Sequence, residues 1–140
     1  MSTVHGTAVA RGGRGVLIVG ASGAGKSALA LELMALGADL VADDAVLLHK
    51  SGAALMMRCP ASIVGQIEAR GVGLISVMSI AQAGLAFIVD LDKKETSRLP
   101  APRFQRLLDV DCRLICGKAQ PGLGAVIWCL LGGGRLLLTE

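Results

Sequence analysis

Gly20-Ala21-Ser22-Gly23-Ala24-Gly25-Lys26-Ser27 fits G-x-x-x-x-G-K-[ST], the pattern of a loop that wraps phosphate groups. Glycine tolerates backbone angles that other residues avoid, so consecutive N–H groups can curl around an anion. Lys26 would reach the outer phosphates as a fixed cation, and the Ser27 hydroxyl would ligate the accompanying Mg²⁺. The flanks agree with the motif. Val16-Leu17-Ile18-Val19 is a short apolar run that predicts a buried strand. Ala28 to Leu36 is rich in strong helix formers and stops at Gly37, a C-terminal signal. Strand, loop and helix in that order bring the partial positive charge of a helix N-terminus to the phosphates. The stretch predicts an α/β domain that binds a phosphorylated nucleotide through Gly20 to Ser27.

The rest of the chain narrows the class. Its 140 residues suffice for one domain with a sizeable core, and 1–140 is read as such. With 53% hydrophobic residues but only two Phe, one Trp and no Tyr, that core must be aliphatic. The net charge of +3 comes without the aromatics that stack on bases, so no nucleic-acid partner is expected. The mean hydropathy of +0.63 raises the question of a membrane span. Gly71 to Val89 carries no charge and approaches the roughly 20 residues of a spanning helix. Glycines, serines and Gln82 break it, so it reads as two strands, Val72 to Val77 and Leu85 to Leu91, around a polar turn. Arg11 and Arg14 precede the loop with no long apolar run, so no signal peptide, no membrane association and a cytoplasmic location are expected. Cys59, Cys112, Cys116 and Cys129 lack zinc-site spacing and read as free thiols.

Further elements follow from local pattern. Thr7 to Ala10 and Gly15 to Val19 read as strands around Gly12-Gly13, and Val46 to Lys50 with Ala53 to Arg58 as a hairpin turning at Ser51-Gly52. Pro60 to Ile67 and Arg103 to Leu108 read as short helices, Val110 to Ile115 as a strand, and Gly122 to Leu131 as the last helix. Asp39 to Asp44 reads as a strand ending in paired acids, where carboxylates near a bound metal usually originate. In an extended strand adjacent side chains point to opposite faces, so one Asp would face the phosphates and the other brace the loop. Geometry does not say which. Glu68 and Arg70, two residues apart, could form no more than a surface ion pair.

Several segments, in order, change that reading: Val4-His5-Gly6, Gly20 to Ser27, Leu40-Val41-Ala42-Asp43-Asp44, Ile67 to Ile75, and Arg98 within Ser97-Arg98-Leu99. Together they resemble the catalytic domain of HPr kinase/phosphorylase, with Ile67 to Ile75 as its signature loop. The resemblance implies a phosphate-loop fold of the HPr kinase and PEP carboxykinase-like type, an α/β mixed sheet with flanking helices. It implies transfer of the γ-phosphoryl of ATP, with Mg²⁺, to a serine of an HPr-like phosphocarrier protein, and reversal by inorganic phosphate to give pyrophosphate. It assigns Asp44 as proton acceptor, His5, Lys26 and Arg98 as further catalytic residues, and Ser27 and Glu68 as Mg²⁺ ligands. A homo-oligomer, a hexamer, is also implied. Asp111 to Gly122 departs from the longer relatives, where the corresponding loop serves dephosphorylation, and the C-terminal helices are reduced. The chain is similar to the short form, consisting of the catalytic C-terminal domain alone. The alternatives are a small phosphotransferase with a metabolite acceptor and a non-catalytic nucleotide sensor.

Overall fold

A computed structural model describes residues 1–137. The elements run β1 (Ser2–His5), β2 (Thr7–Arg11), β3 (Arg14–Val19), α1 (Lys26–Leu36), β4 (Asp39–Ala42), β5 (Ala45–Ser51), β6 (Ala54–Arg58), β7 (Gln66–Ala69), β8 (Gly73–Ser76), β9 (Gln82–Asp90), β10 (Arg103–Leu107), β11 (Val110–Cys116) and α2 (Leu123–Leu131). A mixed nine-stranded sheet is ordered β1-β5-β6-β9-β3-β2-β4, with β11 joining along β9 and β10 outside it. Strand β9 is the axle. It lies parallel to β3 on one edge, while the other edge takes antiparallel β6 at its start and parallel β11 at its end. Three parallel strands, β3, β9 and β11, therefore deliver their carboxyl ends to one side of the molecule.

The period-2 alternation of the strands sorts two cores. Val9, Val16 and Ile18 face Leu29 and Leu33 of α1 and Ile127 and Leu130 of α2, so both helices cover the same face. Ala8, Ala10 and Leu17 point the other way, against Val46, Leu48 and Met57, where the sheet curls over and covers itself. Burying each such Leu, Ile or Val stabilises by about 1.5–3 kcal/mol. Helix α1 ends as its sequence predicts, with the N–H groups of Gly37 and Ala38 returning to the carbonyls of Met34 and Leu33.

Four local expectations need correction. Arg103 to Leu108 is not helical: it forms β10, paired with β11 through a two-residue turn at Leu108 and Asp109. Both turn residues adopt positive φ, 46° and 63°, the geometry that a tight hairpin requires. Leu-Asp is a poor signal for that turn, which is why the hairpin was invisible. Pro60 to Ile67 keeps only a 3₁₀ turn at Ala61–Ile63 before β7 begins. The uncharged stretch does make two strands, but β8 pairs with β7 and not with β9. Finally, β4 stops at Ala42, because Asp44 turns the chain with φ 72°. Among the described residues no helix is long and apolar enough to cross a membrane.

Candidate active site

The phosphate loop links the end of β3 to α1, and its backbone is already curled. Gly23 and Gly25 hold φ of 87° and 101°, in the left-handed region that side chains disfavour. Gly25 caps α1 with no side-chain hydrogen bond, and no acid stands in the first turn. The first N–H groups of the helix thus lack a protein acceptor from a cap and are available to an anion. Lys26 is 92% buried, an unusual position for a cation. Its Nζ donates to the carbonyls of Gly20 and Ala21 at 2.8 and 2.9 Å. The ammonium is thereby held under the loop, along the path of a phosphate.

Asp43 ties three elements together. Its Oδ1 accepts from Thr7 Oγ1 at 2.8 Å and from Ser27 Oγ at 2.9 Å, and its Oδ2 accepts from the Glu68 N–H at 3.0 Å. Only 9% exposed, this carboxylate is stabilised by three donors from β2, α1 and β7. Asp44 is its opposite. The left-handed turn throws its side chain outward, 81% exposed, with Oδ1 3.5 Å from Nδ1 of a half-exposed His5. The sequence reading placed the two acids on opposite faces of a strand. The turn separates them instead, Asp43 toward Ser27 and Asp44 toward the mouth.

These residues line one cavity of about 540 Å³: Lys26, Ser27, Asp43, Asp44 and His5 on one wall, Glu68 and Arg70 of the β7–β8 hairpin on the other. Alternation along β7 explains the second wall. Ile67 and Ala69 are buried, and Glu68 is left on the open side. Arg70 reaches across the cavity, its Nη1 lying 3.4 Å from where a Cβ on Gly23 would sit. That guanidinium beside the phosphate loop, the Asp43 anchor and its Thr7 donor are the groups that sequence reasoning did not assign. An acid closing the neighbouring strand was the available signal for Asp43; Thr7 had none. Arg98 lies elsewhere. It is exposed on the segment between β9 and β10 and does not line this cavity. A bidentate Glu95–Arg103 pair (2.8 and 2.9 Å) closes that segment around it.

The donor set suits Mg²⁺. Ser27 gives its proton to Asp43, which leaves the oxygen lone pairs free, and Glu68 brings a carboxylate to the same cavity. Mg²⁺ is usually held by one or two such oxygens, with phosphate and water completing the shell. No group of three or more His, Cys, Asp and Glu is assembled among the described residues, and this mode of binding needs none.

Comparison with known proteins agrees with this geometry. The HPr Serine kinase C-terminal domain family matches residues 1–97. A protein of Acidovorax sp. described as HPr kinase/phosphorylase is 40% identical, aligned over 99% of this chain and 45% of its own length. One of the same description from Brevibacillus brevis is 46% identical over 86% of this chain and 43% of its own. The chain thus spans less than half the length of these relatives. A solved structure described as the Hpr(Ser) kinase/phosphatase from Coxiella burnetii superposes with a TM-score of 0.82 at 26% identity, covering 94% of this chain and 95% of that one. The family model covers well over half of the sequence, relatives of 40% and 46% identity align with most of it, and the chain belongs to the HPr serine kinase C-terminal domain family.

Proposed function

We propose that this chain is an ATP-dependent kinase that phosphorylates a serine of an HPr-like phosphocarrier protein, with residues 1–140 acting as one catalytic unit. The observation that carries the reading is that one cavity is lined by Lys26 and Ser27 of the phosphate loop together with an outward-facing Asp44. Asp44 takes the proton of the acceptor serine as its oxygen bonds to the γ-phosphorus of ATP. The bond to the leaving ADP oxygen breaks, and the electron pair stays with ADP. Phosphoryl transfer depends mainly on positioning and charge neutralisation. Lys26 neutralises the phosphates, Arg70 adds charge from the opposite wall, and His5 steadies the Asp44 carboxylate. Ser27 and Glu68 would hold Mg²⁺, which when bound offsets charge on the phosphate oxygens. An exposed base at the cavity mouth suits an acceptor carried on a protein surface. For a small metabolite the reactive hydroxyl could be drawn deeper.

The same groups support the reverse transfer, in which inorganic phosphate attacks phosphoserine, pyrophosphate forms and Asp44 returns the proton to serine. The resemblance also implies a hexamer; assembly belongs to this proposal and is read by light scattering. The decisive experiment incubates the protein with γ-labelled ATP, Mg²⁺ and an HPr-like protein, then maps the label. Labelled serine is expected. Label on a metabolite, or nucleotide binding with no transfer, would overturn the reading.

A further inference from the structure

Asp92 lies just past the end of β9, and its carboxylate reaches the start of the phosphate loop. Its Oδ2 accepts from the Ala21 N–H at 2.8 Å. Gly20 makes room for the acid. A Cβ there would stand 3.5 Å from Asp92 Oδ1, and only 3.1 and 3.3 Å from the Cβ atoms of Ala24 and Leu91. Asp92 is itself fixed in place. Its N–H donates to Asp90 Oδ1 at 2.9 Å. On one side the Leu91 N–H donates to the Val19 carbonyl at 2.9 Å, and on the other the Lys93 carbonyl accepts from the Lys118 N–H at 3.0 Å. No step of the proposed transfer uses this acid.

The Ala21 N–H and the Gly20 carbonyl belong to one peptide group, and a trans peptide points them in opposite directions. That carbonyl accepts from Lys26 Nζ at 2.8 Å. A single peptide plane is thus clamped between an ammonium and a carboxylate. The two charges stand on different sides of the loop. Lys26 lines the cavity that holds Asp43 and Asp44, and Asp92 lines a second cavity, of about 500 Å³. Ser22, Gly23, Gly25 and Ala28 border both, so the loop is the partition between them. Hydrogen bonds that run through one polarised peptide reinforce each other, so an anion on the N–H makes the carbonyl a better acceptor for the ammonium. Lys26 is buried, and a buried charge depends on such partners.

We infer that Asp92 is a positioning residue: by holding the Gly20–Ala21 peptide, it keeps the Gly20 carbonyl aimed at Lys26 and the ammonium fixed under the loop. Its effect on phosphoryl transfer rests on the proposed kinase reading. Its effect on Lys26 does not, and the test keeps the two apart.

Asp92→Asn removes the charge but keeps an oxygen that can accept from the Ala21 N–H. Asp92→Ala and Asp92→Leu remove charge and acceptor together. Any relief of repulsion toward a bound phosphate is common to all three, so the contrast among them isolates the hydrogen bond. Access to Lys26 is read first, without nucleotide, by brief acylation with acetic anhydride and site-resolved mass spectrometry. The rate at Lys26 is taken relative to the exposed Lys50. Asp92→Ala and Asp92→Leu should raise that ratio at least about threefold, the scale of one hydrogen bond, and Asp92→Asn should hold it within about twofold. Transfer from ATP is then followed in the same proteins. Asp92→Ala and Asp92→Leu should lose at least about threefold in kcat/KM, and Asp92→Asn should hold within about twofold. An unchanged Lys26 ratio in Asp92→Ala and Asp92→Leu, or an equal rise in Asp92→Asn, would overturn the clamp. Unmoved kcat/KM in an active kinase would overturn its part in the transfer. Should Asp92→Ala and Asp92→Leu fail to fold, the unsubstituted protein decides. Scalar coupling across the hydrogen bond, from the Ala21 amide nitrogen to the Asp92 carboxyl carbon, is expected, and its absence would overturn the inference. If the unsubstituted protein transfers nothing to any acceptor, the kinase reading falls, while the Lys26 ratio still judges the clamp.

Discussion

Ser27 Oγ donates to Asp43 Oδ1 at 2.9 Å, so the loop that would hold the phosphates is fastened to the turn that carries Asp44. The same carboxylate accepts from Thr7 and from the Glu68 backbone, so three chain segments share one buried acceptor. Asp43→Asn replaces one accepting oxygen with an NH₂ donor, which must then face at least one of those donors. A buried polar group left unsatisfied costs about 1–3 kcal/mol. Asp43→Asn should therefore lower the unfolding free energy by that amount in urea. A change below 0.5 kcal/mol would show that the three-way anchor contributes nothing.

Lys26 and Asp44 should fail differently. On the proposed reading Lys26 would contact the phosphates in ground state and transition state alike, so Lys26→Ala should weaken ATP binding and turnover together. Asp44 is an exposed carboxylate, and Asp44→Asn should leave stability within about 0.5 kcal/mol. It should keep the nucleotide bound while turnover falls about 10²- to 10⁴-fold, the usual contribution of a general base. Binding is followed by calorimetry and turnover by phosphoserine formation. Equal losses of nucleotide affinity in both variants would remove Asp44 from the role of base.

The residues that were legible in the sequence are those whose job is local. The strand, loop and helix around Gly20 to Ser27 follow from a contiguous apolar run, three glycines and a helix-forming stretch, and the structure matches each in place. The β5–β6 hairpin around Ser51-Gly52 is equally local. What escaped depends on distant partners. Arg103 to Leu107 is extended because β11 offers it an edge, and the turn that closes the pair uses Leu108 and Asp109 against their ordinary preference. The division of labour between Asp43 and Asp44 hangs on a left-handed turn and on donors from Thr7 and Glu68, residues 36 and 25 positions away. No period or propensity reports such a contact. Arg70 was visible only as a charge near an acid, and the fold alone aims it at Gly23.

Discrimination between purines should be weak. Base pockets often rely on aromatic stacking, and neither cavity is lined by Phe87, Phe104 or Trp128. Phe87 is buried in β9, Phe104 is exposed beneath Arg113, and Trp128 packs under Arg11. Affinity then comes chiefly from phosphates and aliphatic contact. GTP should replace ATP within about tenfold, a gap of about 1.4 kcal/mol. A thousandfold preference in kcat/KM would reveal a pocket that reads the base edge specifically.

The segment that carries Arg98 should stay clamped far into acid. Hydrogen bonds from the Arg103 guanidinium and the Ser97 N–H hold the Glu95 carboxyl down to about 2. A carboxyl lowered on folding adds stability above its unfolded pKa, and that contribution is lost as pH falls through the folded value. The clamp should thus persist from neutral pH through pH 4 and release only near pH 2. NMR titration of the Glu95 side-chain carboxyl reads this directly. A midpoint near 4.5 would mean that the pair does not form in solution, and Arg103→Ala should raise the midpoint only part of the way, because the Thr96 and Ser97 N–H groups still donate to Glu95.

Reverse transfer is the most demanding expectation. By microscopic reversibility the group that removes the serine proton in one direction returns it in the other, so on the proposed reading Asp44 would serve both. A loop that would hold the β-phosphate of ATP could equally hold an attacking inorganic phosphate, since both present similar oxygens to the same N–H groups. The groups needed for chemistry are therefore the same in both directions. What would differ is the segment Asp111 to Gly122, which the resemblance sets apart from the longer relatives and which contains the β11–α2 loop. Phosphorolysis should be measurable but slow. Labelled phosphate supplied with phosphoserine-HPr should appear as labelled pyrophosphate, and Asp44→Asn should slow both directions together. Release of phosphate without pyrophosphate would mean hydrolysis by water instead. Release of nothing from an active kinase would mean that this loop, and not the proton acceptor, limits the reverse path.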